Sequence, residues 1–448
     1  MDKPIQLKTT VTFPIRAEFG PLARSFTETS AAAFGLGERE SDKLVLAVEE
    51  IFAHFCRRFG GDRPIELEAF NGIHFIRLRM SFQTERIDMS RLWPAIPEYE
   101  PADEQSMEKL GIIIGLSGLD RLKLAIRDNR TVLVECYREK AYPPFDPDEE
   151  DPSLETLRGA PFDLVSPSDG ELLHFTARVN RRLKGLTLPS FLEFPGKVVD
   201  MRSTDELSAG LAVCRGGFPV GGVLWRGVGD KLVEVFGPYV FDPNRSSEIA
   251  GALLDHCLRN VGRTRAVGLL CRFTQEDLIT RQFEVLGRGG CTDYHRGNAV
   301  LPVFYRHLEE DAGSLVYCHP RVRDFLRAEY DRLLLPREIV ELKDQGEAQA
   351  EHSRVTSDLF LASHLAVCRG LVAGRDIRLN LGRLLNLFQT FRRPDVPSGG
   401  VLFEMDLGNS HEIGFTPALL EAGFTPALIV PNAGRADRLV FHRPPEPS

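Results

Sequence analysis

The stretch from residue 42 to 59 constrains the fold most. Leu44, Val48, Ile51, Phe52, Phe55 and Phe59 recur there at three- and four-residue steps, which on a helix gathers them on one face. Ser41 is the expected N-cap, its hydroxyl accepting from an otherwise orphan amide, with Asp42 at the positive end of the helix dipole. Glu50 and His54 lie one turn apart on a different face. A carboxylate and a ligand-type side chain at that spacing suit a metal-nucleotide site, and they equally describe an ordinary surface pair.

Around this helix the pattern alternates strand and helix. Strands are expected at 11–16, 64–70, 75–81 and 131–137, with a helix at 21–33. In the 75–81 strand Ile76, Leu78 and Met80 alternate with Arg77 and Arg79, so one face should be buried and the other wet. Residues 89–108 are rich in proline and acid. Residues 142–152 hold four prolines and a run of carboxylates that cannot join a packed core, so 141–165 reads as a linker.

With 448 residues, the chain exceeds one ordinary core, and about two to four domains are expected. Its 43% hydrophobic and 27% charged residues are proportions of a globular protein. A net charge of −9 and a pI near 5.8 give no basic footprint for DNA or RNA. No stretch approaches a membrane span and the N-terminus lacks a signal-peptide core, so a cytoplasmic protein is expected. The eight cysteines form no Cys-x-x-Cys pair and read as core thiols. Cys318-His319, beside Pro320, reads as a structural turn, with a thiol or metal role as the alternative.

Leu46-Ala-Val-Glu-Glu50, following the segments 13–26 and Ala33-Phe-Gly-Leu-Gly37, resembles the opening of the anti-sigma-factor branch of the GHKL (histidine-kinase-like) ATPases. The resemblance implies an α/β sandwich that binds ATP. Glu50 would polarise the attacking water or hydroxyl, and the position of the family's Mg²⁺-holding Asn is taken by His54. Imidazole is a poor ligand for so hard an ion. After the strand at 75–80 the family's Asp-x-Gly box is replaced by Ser-Phe-Gln-Thr-Glu-Arg-Ile-Asp88. Residues 89–108 correspond to the family's lid. Leu110-Gly-Ile-Ile-Ile-Gly-Leu116 matches in part a glycine-containing turn leading into a helix: Gly111 fits, Ile113 takes the second small position, and Gly111 and Gly115 would cradle phosphates through backbone amides.

From residue 207 the expected order is a hairpin of strands at 211–215 and 220–225, a strand at 231–241, a helix at 246–260, a strand at 265–272, a helix at 276–286 and a strand at 298–305. This succession resembles the GNAT acyltransferase fold. There the strand before the central helix splays, and a loop offers amides to the pyrophosphate of acetyl-CoA. The matching loop is Arg245, Ser246, Ser247, Glu248, Ile249 and Ala250. Arg245 and Ala250 are retained, and Glu248 stands in place of glycine, adding like charge and a side chain where the backbone should approach closely. Tyr294, His295 and Tyr305 are the candidates for proton transfer, with Tyr294 the catalytic candidate among them.

The last third reads as a helix at 322–334 with Phe325, Leu326 and Leu333 inward, a strand at 361–369, a helix at 376–392, a strand at 400–407, a short helix, and strands at 427–430 and 439–441. Leu-Ala-Val-Cys-Arg-Gly occurs at 211 and again at 365, which hints at duplication or at chance. Val316-Tyr-Cys-His-Pro, Leu335-Pro-Arg-Glu338, residues 419–431 and Asp437-Arg-Leu-Val-Phe resemble a bacterial family that fuses a GHKL domain to a GNAT domain and a second, GNAT-like half. The expected organisation is therefore an α/β (α+β) chain. A GHKL-type domain covers 1–140, a linker 141–165, a GNAT-like domain 166–310 and a second GNAT-like domain 311–448.

The leading functional expectation is a regulatory protein acting on a protein partner, its nucleotide and acyl-CoA sites degenerate. The alternatives are an active acetyltransferase on a protein or small amine, a serine kinase acting through Glu50, and a pure scaffold. The sequence leaves the oligomeric state open.

Overall fold

The computed structural model describes residues 6–84, 104–127, 130–144, 159, 161–214, 217–290, 300–342, 350, 352–361, 363–390 and 399–445. Most of the expected lid, residues 145–158 of the expected linker, Tyr294 and His295 lie outside these residues.

The first module comprises β1 (Lys8–Pro14), α1 (Gly20–Ala33), α2 (Glu38–Phe59), β2 (Pro64–Asn71), β3 (Phe75–Gln83), α3 (Glu104–Ser117), β4 (Arg121–Arg127) and β5 (Thr131–Glu139). Its strands run antiparallel in the order β1-β2-β3-β5-β4. All six apolar residues that define α2 are buried. Each contributes about 1.5–3 kcal/mol, more than a typical cap, so the helix forms without a side-chain cap. It also starts a turn earlier than expected. Gly37 is the N-cap and its carbonyl accepts from Ser41 N–H at 2.8 Å, which places Ser41 inside the first turn. Phe55 meets Phe82 of β3 edge-on at 5.0 Å, tying helix to sheet. Strand β4 was not expected from the pattern.

The second module comprises β6 (Phe162–Val165), α4 (Asp169–Arg182), α5 (Pro195–Ser203), β7 (Ser208–Cys214), β8 (Pro219–Val228), β9 (Leu232–Val240), α6 (Ser246–Val261), β10 (Gly268–Phe273), α7 (Glu276–Ile279), β11 (Glu284–Gly290) and β12 (Val300–His307). The sheet order is β11-β12-β10-β9-β8-β7-β6, with β9 and β10 parallel. Two corrections follow. Residues 162–165, assigned to the linker, pair with β7. The helix expected over 276–286 stops at Ile279, and residues 284–290 pair with β12 as strand β11 instead. Helix α4 opens with a full capping box, Ser168 and Glu171 bonding each other's backbone. Gly221 and Gly222 of β8 are required by packing: a Cβ would come within 3.0 Å of Ile249 on one face and 2.5 Å of Phe175 on the other.

The third module comprises β13 (Ser314–Cys318), α8 (Arg323–Arg332), β14 (Arg337–Glu341), β15 (Arg354–Phe360), β16 (Leu365–Val372), α9 (Ile377–Thr390), β17 (Gly400–Asp406), α10 (Thr416–Glu421), β18 (Thr425–Val430) and β19 (Arg438–Arg443). Its order β15-β16-β17-β19-β18, with β16 and β17 parallel, repeats the order β8-β9-β10-β12-β11. The repeated hexapeptide is not the trace of that repetition, since its first four residues lie in β7 at one occurrence and in β16 at the other. Strand β15 pairs with β4, so the third module continues the first module's sheet into ten strands. Against the second module it packs through β18 and β11, where a Cβ on Gly289 would stand 2.8 Å from Leu428, and through Arg332, which donates to the carbonyls of Val285 and Leu286.

On the sheet face away from the α2 core, two rungs cross β2-β3-β5-β4-β15 in register. One is Phe70, Arg77, Tyr137, Arg121, Phe360, and the next is Glu68, Arg79, Glu135, Lys123, Asp358. Opposite charges directly across strands attract. Glu68 and Glu135 are each only 2% exposed, so the face expected to be wet is largely covered. Burial alone would raise their carboxyls, but hydrogen bonds from Lys8 to Glu68 and from Arg79 and Tyr137 to Glu135 hold both below the ordinary value.

Asp120, just before β4, goes the other way. It accepts from Arg138 at 2.8 Å and from the Glu139 amide at 2.7 Å, yet burial, reinforced by the Glu139 charge, pushes its carboxyl from 3.8 up to about 6. The folded state therefore holds this proton more tightly than the unfolded chain. Its stability contribution is complete below about 3.8 and is lost as pH rises through about 6. Asp120→Asn is expected to be more stable than the parent at pH 8 by roughly 1–2 kcal/mol, with the advantage vanishing toward pH 4. Urea unfolding at several pH values reads this directly, and a pH-independent difference would contradict it.

Candidate functional site

Glu50 faces α3. A Cβ on Gly111 would lie 2.5 Å from Glu50 Oε2, and one on Gly115 would lie 3.1 Å from Glu50 Cγ and 3.3 Å from the Leu46 carbonyl. A Cβ on Gly118 would approach Lys43 Cβ to 3.0 Å. These glycines, four and three residues apart, form the stripe on which α3 lies against α2. The segment Leu110–Leu116, expected as a turn opening a helix, is the interior of α3. Backbone amides there are engaged with carbonyls four residues back, so they cannot form a phosphate cradle in this conformation. His54 is 1% exposed and belongs to the core, not to a face beside Glu50 that is open to a ligand. Among the described residues no group of three or more His, Cys, Asp or Glu is placed to hold a metal ion.

The second expected site lies where β9 and β10 part. Their register breaks between Cys271 and Phe273, and α6 begins beyond the end of β9. The gap is bridged from within. Tyr239 is fully buried and donates to the Phe273 carbonyl at 3.2 Å, while the Val240 amide donates to Gln275 Oε1 at 2.9 Å. At the head of α6, Arg245 donates Nε and Nη2 to the two oxygens of Glu248 at 2.9 and 2.8 Å, and its guanidinium sits 5.2 Å from the Phe162 ring. That hydrogen-bonded pair holds the Glu248 carboxyl below its usual value. Glu248 thus neutralises Arg245, and a fork of this geometry is the preferred arginine–carboxylate arrangement. Ser246 and Ser247 occupy the first turn of α6, where amides lack intrahelical partners, and Ala250 points into the core at 1% exposure.

Tyr305 is 1% exposed, and burial pushes its hydroxyl up to about 12. It packs over Gly268, where a Cβ would collide with the Tyr305 hydroxyl, and lies edge-on to His307 at 4.7 Å. This is a core position. Tyr294 and His295 lie outside the described residues. Cys318 is buried and its thiol is pushed up to about 11 by burial, while His319 Nδ1 accepts from the Arg321 amide at 3.2 Å and caps a turn. The sequence reading therefore found the residues at the head of α6. It missed that Gln275 and Tyr239 close the neighbouring gap, a relation set by tertiary placement and not by spacing.

No family model matches this sequence, and no curated protein matches it. Among solved structures, a GNAT-family acetyltransferase from Staphylococcus aureus Mu50 aligns with 33% of this chain and 99% of its own, at 13% identity and a TM-score of 0.27. Ard1 from Thermoplasma volcanium aligns with 34% of this chain and 99% of its own, at 13% identity and a TM-score of 0.27. A GNAT-superfamily phosphinothricin acetyltransferase from Sinorhizobium meliloti, in complex with AcCoA, aligns with 32% of this chain and 86% of its own, at 16% identity and a TM-score of 0.26. Among the described residues no helix is long and apolar enough to cross a membrane.

Proposed function

We propose that this chain is a regulatory protein that acts on a protein partner. In this reading a GHKL-type module of the anti-sigma-factor kind and GNAT-like modules form its frame, and the positions that would hold ATP and acetyl-CoA are filled from within. What supports the reading is that Arg245, expected to meet the acyl-CoA pyrophosphate, already pairs with Glu248 inside the chain, while the space beside Glu50 is taken by α3. The Val240 amide is bound by Gln275. An anion entering at α6 must displace a carboxylate that is already well placed, which works against affinity.

A second reading, an acetyl-CoA-dependent acyltransferase, is favoured by one observation: the register break between the parallel strands β9 and β10 lies beside the N-terminus of α6. Calorimetric titration separates the two. The regulatory reading expects no micromolar binding of ATP, with or without Mg²⁺, or of acetyl-CoA. It also expects Glu248→Gly to improve acetyl-CoA binding by freeing Arg245. Micromolar binding and turnover of acetyl-CoA by the parent would replace it with the acyltransferase. ATP turnover lost in Glu50→Ala would replace it with the kinase.

A further inference from the structure

The three modules meet around a cavity of about 450 Å³ that neither expected site accounts for. The first module supplies His74, Phe75, Arg77, Asp120, Arg121 and Tyr137. Glu139 also belongs to it. The second adds Phe191, Lys197, Met201, Glu206 and Arg226, with Ser190 beside Phe191, and the third adds Phe360. That volume lies within the range of small-molecule sites, which occur preferentially at domain junctions.

The floor is the aromatic–arginine rung. The Arg121 guanidinium stacks 4.8 Å from the Tyr137 ring and 5.2 Å from the Phe360 ring, and donates Nε and Nη2 to the same oxygen of Asp358 at 3.1 and 2.7 Å. Arg77 donates Nη2 to Glu68 at 2.9 Å and lies over the Phe70 ring, while its Nε is buried with no hydrogen-bond partner among the described residues. His74, with a side chain 6% exposed, lies alongside, its Nε2 standing 3.5 Å from Glu206. Buried polar groups are nearly always satisfied, so the buried Arg77 Nε beside this cavity points to an absent acceptor.

The charges agree. Four cationic side chains line the wall against three carboxylates, one of the four, Arg226, being held by Glu234 at 2.7 Å. Asp120 is bound by Arg138 and the Glu139 amide, Glu139 by Lys197, and Glu206 lies beside His74. Burial, aided by the Lys197 charge, lowers His74 to about 4, which leaves it a neutral imidazole at pH 7, able to donate one hydrogen bond. Flat rings at Phe75, Tyr137, Phe191 and Phe360 supply walls for a planar body.

We propose that this junction cavity binds a small planar organic anion, its charge held by Arg77 and Arg121 and its ring laid against Tyr137 and Phe360. The site is independent of whether ATP or acetyl-CoA binds elsewhere. Because all three modules contribute wall residues, the bound anion also ties them together, which gives a sensing protein a means of reporting occupancy.

The probes are naphthyl phosphate, naphthoate and, as a cation of the same shape, naphthylmethylamine, each titrated calorimetrically into the full chain. At least one anion is expected to bind with one-to-one stoichiometry, and the amine is not. Arg77→Met, which leaves Glu68 still paired with Lys8 and Arg79, is expected to weaken binding by about tenfold or more, the worth of a charged hydrogen bond. Hydrogen exchange on the parent protein supplies the second readout, with protection expected in β3, β4 and α5 on adding the anion. Preference for phosphate or for carboxylate then identifies the natural anion's class. Absence of binding by both anions, equal binding of the amine, an unaffected Arg77→Met or protection confined elsewhere would each overturn the proposal.

Discussion

Arg337→Met is expected to lower the unfolding free energy by about 3–5 kcal/mol, measured by denaturant unfolding at pH 7. Arg337 opens β14 with a fully buried side chain that joins two segments far apart in sequence. It donates Nε and Nη2 to Asp437 at 2.6 and 3.1 Å, and Nη1 and Nη2 to Asp311 at 2.9 and 2.7 Å. Asp437 also accepts from the Asn432 amide at 2.9 Å, and its side chain is likewise fully buried. Methionine fills the volume but leaves two carboxylates facing each other without their cation. Although burial pushes Asp311 up, its hydrogen bond from Arg337 holds the carboxyl below the ordinary value. Its contribution is therefore present above the unfolded value of 3.8 and is lost as pH falls through the lowered one. The cost of Arg337→Met should accordingly shrink toward pH 4, where the stranded carboxylates can take up protons. Adding Asp437→Asn should recover part of the loss at pH 7. A loss below about 1 kcal/mol, the range of an exposed pair, would mean that the cluster is solvated and its buried geometry wrong.

That cluster shows what a linear reading can and cannot reach. Leu335-Pro-Arg-Glu338 and the run from Asp437 stood out as patterns, and their physical content is that one residue of each closes the same buried ion pair. No local spacing connects positions 337 and 437. The six apolar residues of α2 were legible because helical periodicity is set by neighbours in sequence. The parallel β9–β10 order was legible because strand, helix and strand follow one another along the chain. The charged rungs were half legible: Arg77 and Arg79 alternate with apolar residues, but their carboxylate partners Glu68 and Glu135 come from the neighbouring strands β2 and β5. The helix expected over 276–286 failed because residues 284–290 pair with β12, a partner that no local pattern names. Gly111 and Gly115 were noticed for the absence of a side chain, and the structure sets both against Glu50 of α2. A phosphate and a second helix both need close backbone approach, and only the tertiary structure says which is there.

The same choice can be put to experiment through Gly115→Val. Intrinsic propensity alone would make the substitution favourable or nearly neutral, since glycine in a helix interior costs about 1 kcal/mol against alanine. A phosphate-turn reading would likewise predict little effect on stability and a loss of ATP binding. The packed geometry predicts the opposite. A Cβ at 115 already stands 3.1 Å from Glu50 Cγ and 3.3 Å from the Leu46 carbonyl, and the two methyl groups of valine have to fit in the same gap. The expected cost is about 2–3 kcal/mol, the range for overpacking, with loss of hydrogen-exchange protection in α3, where Ile112 and Leu116 are buried beside the glycines. Glu50→Ala discriminates further. At Gly111 the obstacle is the far end of a flexible side chain, Glu50 Oε2 at 2.5 Å, so Gly111→Ala should be largely rescued by Glu50→Ala. At Gly115 the Leu46 carbonyl is backbone and cannot be trimmed away, so Gly115→Val should be rescued only in part. Equal rescue at both positions, or stabilisation by Gly115→Val, would show that α3 does not rest on α2 through this stripe and would reopen the space beside Glu50 to a ligand.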